Sequence, residues 1–129
     1  MKAIGCLFLE RDNIKQGLET INEGAKLLKQ GHSMVLFPEG HRNHEDTFLP
    51  FKEGGYKMSD KSGCPIVPFA VSRTDILLER APKGLRKWQE VIIEFGEPIY
   101  PNDYPMKERK AKYKEIPDII AGMRKTHKI

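Results

Sequence analysis

Apolar positions along the chain follow two rhythms. Residues 3–9 form an apolar run that stops at Glu10-Arg11-Asp12, which reads as a short buried strand. Ile14, Leu18, Ile21, Ala25 and Leu28 then recur at spacings of four, three, four and three. That spacing predicts an amphipathic helix over 14–30. Asn13, with Gln16 three residues on, is a helix-start pair, and Gly31 is placed to end the helix. Gly17 and Gly24 inside it cost about 1 kcal/mol each relative to Ala and leave room for a neighbour to pack closely.

Residues 33–37 read as a second strand, cut off by Pro38-Glu39-Gly40. The polar stretch 41–52 contains Pro50 and is a loop, long enough to suggest a functional one. Residues 53–62 form a short helix stopped by Gly63. Residues 65–71 are a third strand, which its two prolines place at an edge, a strand end or a bulge. Pro82 and Gly84 leave 73–89 undecided. Residues 91–95 are a fourth strand, turned by Gly96-Glu97-Pro98. Residues 106–127 are helical, with Pro117 kinking or splitting them. Strands alternating with helices predict an α/β architecture, a sheet with flanking helices.

Composition narrows the class. At 129 residues and 39% hydrophobic, residues 1–129 suffice for one domain with a core but hardly for two. No run approaches the roughly 18 apolar residues of a membrane-spanning helix. Residues 3–9 are too short for a signal peptide. Cys6 and Cys64 lack metal-ligand spacing and read as reduced core thiols of a cytosolic protein.

The net charge of +4 is unevenly placed. Residues 1–106 carry 14 Lys/Arg against 15 Asp/Glu, whereas 107–129 carry 8 against 3. The basic helical segment 106–129 is therefore either a contact for an anionic surface or a solvated helix face. Nucleic acid is the weaker candidate, because Tyr113 is the segment's one aromatic residue and no nucleic-acid fold signature is present.

The most informative segment is Phe37-Pro38-Glu39-Gly40-His41-Arg42-Asn43. A strand here would deliver a carboxylate, a glycine and an arginine into one tight turn. Gly40 lets backbone approach a ligand. Arg42 offers a planar donor fork suited to phosphate or carboxylate. Glu39 is an acceptor for Arg42 or for a substrate hydroxyl. Taken alone, a structural turn with a salt bridge explains the segment about as well.

Three further blocks accompany it in order: Gly5-Cys6-Leu7-Phe8-Leu9-Glu10-Arg11, Phe48-Leu49-Pro50-Phe51-Lys52-Glu53-Gly54-Gly55, and Ile66-Val67-Pro68-Phe69-Ala70. Over residues 3 to 100 this series resembles the glycerolipid acyltransferases, which include the 1-acylglycerol-3-phosphate acyltransferases. His41 and Asn43 depart from the Thr and Ser usual in the third block, and both keep hydrogen-bonding capacity.

The resemblance implies a partial glycerolipid acyltransferase fold. It implies that Arg11 and Arg42 bind the phosphate of a glycerophosphate acceptor, while Glu39 and Gly40 shape that site. Residues 66–70 would contact the acyl donor, acyl-CoA or acyl carrier protein, or the acyl chain. No metal or redox cofactor is implied. The expected setting is cytoplasmic, peripheral at the inner face of the membrane.

The family's general base, the His of an Asn-His-x-x-x-x-Asp block, would precede residue 3 and is not in this sequence. His41 and Asp46 fit His-x-x-x-x-Asp but overlap the phosphate-binding block, so a replacement dyad competes with an ordinary polar loop. The expectation is an incomplete domain of little or no activity, with an exposed apolar face that favours association. A non-catalytic module for lipid phosphates or acyl carriers, and an enzyme whose start lies further upstream, stay open as alternatives.

Overall fold

A computed structural model describes residues 7, 13–41, 43, 45, 47–72 and 90–126. The strand expected over 3–9 falls outside these, Leu7 excepted, and so does the undecided stretch 73–89. The chain divides into two compact units, residues 1–66 with 100–109, and residues 67–99 with 110–129.

The first unit is built on α1 (Ile14–Lys29) and α2 (Gly54–Ser62), which pack on each other. Asn13 caps α1 as its sequence predicts, its side-chain oxygen accepting from Gln16 N–H at 3.2 Å. The reciprocal half of a capping box is not made, since buried Gln16 Oε1 has no hydrogen-bond partner. The helix ends in a Schellman motif. Gly31, at φ 91°, donates to Leu28 O, and His32 donates to Leu27 O. Gly24 is buried where the helices meet, and a Cβ there would lie 2.7 Å from Met58 Sδ. Gly17 has nothing within 4 Å of such a Cβ, so close packing holds at one of the two glycines only. Gly63, at φ 73°, ends α2 by donating to Ser59 O. A 3₁₀ turn, Pro101–Asp103, lies against α2. Arg109 ties in the C-terminal segment of this unit, reaching Asp60 Oδ1 at 3.6 Å and donating to Tyr104 O at 3.0 Å.

In the second unit β1 (Phe69–Val71) pairs antiparallel with β2 (Ile93–Phe95), Ala70 facing Glu94. The Phe69 and Phe95 rings stand 5.9 Å apart across the pair. β1 is shorter than the expected 65–71 because Pro65 and Pro68 have no N–H to give a ladder; Pro68 O still accepts from Gly96 N–H at 2.8 Å, and Ile66 makes only an isolated bridge. Helical structure over 106–126 is split, as Pro117 predicts, into α3 (Met106–Lys114) and α4 (Ile116–Thr126). Pro117 sits in the first turn of α4, where its missing N–H has no intrahelical partner to lose. α4 packs on β1, with Ala70, Ile116 and Met123 buried.

Residues 33–37 do not form the expected strand. Among the described residues they pair with no other strand, and Val35 and Phe37 are 71% and 73% exposed. An apolar run becomes a strand only where a neighbour takes its backbone groups.

Candidate functional site

The Pro38–Glu39 turn follows the extended stretch 33–37 directly. Gly40 N–H donates to Phe37 O at 3.1 Å, and Gly40 adopts φ 71°, a left-handed conformation that favours glycine. The loop returns at Lys52, whose N–H donates to Pro38 O at 2.9 Å. The intervening residues are therefore a closed loop.

Glu39 organises that loop from inside. Its Oε2 accepts from Asn43 Nδ2 at 3.0 Å and from Leu49 N–H at 2.9 Å. Asn43 also donates to Thr47 O, and its Oδ1 accepts from Glu45 N–H at 3.0 Å. One carboxylate oxygen and one amide thus hold residues 39, 43, 45, 47 and 49 together. Phe48 and Phe51 add a tilted ring contact with centroids 5.6 Å apart.

Of the residues singled out in the sequence, Glu39, Gly40 and His41 lie together in this turn, with His41 exposed. Arg11, Arg42 and Asp46 lie outside the described residues, so no distance relates His41 to Asp46 or Glu39 to Arg42. Two participants were not singled out. Asn43 stood in the sequence as a tolerated departure, yet it is the hub of the loop. Lys52 belonged to a motif run without a role, yet it closes the loop and lies beside Gly40. Its position within the Leu-Pro-Phe-Lys run was the one available signal.

Burial, and then the Glu53 carboxylate, raise the Tyr56 phenol above its ordinary 10.0, which keeps it neutral at physiological pH. Among the described residues no group of three His, Cys, Asp or Glu side chains could hold a metal ion. Among the same residues no helix is long and apolar enough to cross a membrane.

The basic segment is partly engaged within the chain. Arg109 is committed to Asp60 and Tyr104, and Lys112 makes a surface pair with Glu115 at 2.8 Å. Lys107, Lys110, Lys114 and Lys125 are exposed.

This motif-bearing turn can be set beside known proteins. A family model described as Acyltransferase matches residues 1–72, more than half of the chain. A 1-acyl-sn-glycerol-3-phosphate acyltransferase of Saccharomyces cerevisiae is 36% identical over 103 residues, covering 77% of this chain and 33% of the relative. One of Haemophilus influenzae is 32% identical over 103 residues, covering 78% and 41%. The crystal structure of the 1-acyl-sn-glycerophosphate (LPA) acyltransferase PlsC from Thermotoga maritima superposes with a TM-score of 0.59 at 26% identity, covering 81% of this chain and 44% of that one. The chain thus spans less than half the length of these relatives. With the family model matched across all the residues that build the turn, and α/β elements that follow a solved member, the chain belongs to the acyltransferase family.

Proposed function

We propose that residues 1–129 form the acceptor-phosphate portion of an acyltransferase of phospholipid synthesis. The acyl group passes from acyl-CoA or acyl carrier protein to the free hydroxyl of a lysophosphatidic-acid-like glycerophosphate. The observation that carries this reading is the loop clamped by Glu39 in a chain of this family. It is a closed turn whose clamped residues 39, 43 and 49 bracket Arg42 in the sequence.

The chemistry divides into holding and reacting. Arg42 and Arg11 hold the acceptor phosphate, because a guanidinium fork matches phosphate oxygens and stays charged. The acceptor hydroxyl oxygen then attacks the thioester carbonyl. Its proton goes to a general base, the thiolate leaves and is protonated, and the new ester bond replaces the thioester. Within residues 1–129 the spacing of a His-Asp pair occurs at His41 and Asp46 alone. These residues by themselves are expected to bind acceptor and turn over little or nothing. Exposed lysines on the C-terminal helices suit a peripheral position at the inner, cytoplasmic face of a membrane.

The test is calorimetric binding of lysophosphatidic acid to residues 1–129, with an acyl-transfer assay alongside. Binding with negligible transfer is the expected result. Absence of binding overturns the reading. Robust transfer that disappears in His41→Ala would instead place the base in this loop. A non-catalytic module for lipid phosphates or acyl carriers rests on the same residues, and it is favoured if the full-length protein also binds without transferring.

A further inference from the structure

Lys52 is a cation to which neither the turn nor the family resemblance gives a role. Its backbone closes the loop onto Pro38, and its side chain folds back across the turn. A Cβ built on Gly40 would lie 3.1 Å from Lys52 Cε and 3.2 Å from Lys52 Nζ. The ammonium therefore rests against the Gly40 backbone, in space that any larger residue at position 40 would fill.

Lysine side chains on loops usually extend into water, because the ammonium is strongly hydrated. This one is exposed yet lies against Gly40, which stands two residues before Arg42 in the sequence. Nor is it held there by a carboxylate. Among the described residues no ion pair reaches Lys52, and Glu39 Oε2 is already engaged by Asn43 and Leu49. A positive charge is thus held at the motif turn with no internal partner among the described residues.

We propose that Lys52 is a second cation of the acceptor-phosphate site, acting with Arg42 on the same phosphate. The inference rests on the acceptor site proposed above. A phosphate monoester carries between one and two negative charges near neutral pH and presents three oxygens. An arginine fork takes two of them, and a lysine supplies a point charge for the third. Gly40 then has two reasons to be glycine, its left-handed backbone and the room it leaves for the ammonium.

The experiment titrates the full chain and its variants with lysophosphatidic acid and, separately, with a neutral monoacylglycerol. Lys52→Ala is expected to weaken lysophosphatidic acid binding about tenfold, in keeping with one charged hydrogen bond. Lys52→Arg should restore part of the loss. Binding of monoacylglycerol should not change, and the affinity of Lys52→Ala should respond less to added salt. Lys52→Gln keeps most of the stem, so a loss there at an unchanged melting temperature separates charge from folding. If Arg42→Ala weakens binding and Lys52→Ala does not, the inference is overturned while the acceptor site stands. Loss of monoacylglycerol binding in Lys52→Ala also overturns it. If neither substitution matters, the acceptor site fails and the inference fails with it.

Discussion

At the scale of single residues, Glu39 acts on the chain as much as on any ligand. One oxygen of its carboxylate takes both the Asn43 amide and the Leu49 N–H, so the loop cannot open without leaving donors unpaired. Glu39→Ala is expected to destabilise the chain by about 1–2 kcal/mol, since both donors lose a charge-assisted partner at a half-exposed site. Glu39→Gln, which keeps a carbonyl acceptor, should cost less. Urea unfolding measures both, and an unaltered midpoint in Glu39→Ala would remove the clamp. Arg42→Ala should weaken glycerophosphate binding by about 1.5–3 kcal/mol, the range for a hydrogen bond to a charged group. Equal affinities in calorimetry would take Arg42 out of the site. The turn itself was legible, because Pro-Glu-Gly after an apolar run is local punctuation. The hub role of Asn43 and the back-folding of Lys52 were not. Their partners lie two to fourteen residues away in a loop, and a loop has no period from which to read them.

At the scale of elements, α1 behaves as its pattern dictates. The Asn13 cap, the Gly31 terminator and the 14–29 span all follow from contacts within one turn of helix. The two internal glycines separate once α2 is in place. Gly17→Ala should stabilise the chain by roughly 0.5–1 kcal/mol, because helix propensity improves and nothing stands in the way. Gly24→Val should destabilise it by about 1–3 kcal/mol, through overpacking against Met58 and Leu7. Thermal melts of the two variants that shift in the same direction would contradict this packing. Strands fared differently from helices. The prolines of 65–71 left an edge, a strand end or a bulge open, and pattern alone could not say that 33–37 pairs with no strand among the described residues. A helix satisfies its own backbone, whereas a strand depends on a partner that sequence pattern does not reveal.

At the scale of the whole chain, apolar side chains remain on the surface of each unit. Ile14, Val35 and Phe37 are exposed in the first, and Ile93 and Phe95 in the second. Such surfaces favour association. Size-exclusion chromatography with light scattering should show residues 1–129 self-associating as concentration rises, and a monodisperse monomer would contradict this. The exposed lysines of the C-terminal helices predict binding to vesicles rich in anionic lipid, at about 1 kcal/mol per lysine near the surface. Co-sedimentation should weaken as salt is raised, because exposed charges are screened. Retention at high salt would assign the binding to the apolar side chains instead.

The sequence by itself determined the helices, their ends and the linked motifs that identify the family, because each depends on residues close together in the chain. Only the tertiary structure decided where the strands stop, which glycine lies in a packed interface, and which basic residues are held internally. It alone showed Glu39 clamping the motif loop and Lys52 lying over Gly40. Those outcomes depend on partners brought together by folding, and the same side chain serves a different purpose according to what it meets there.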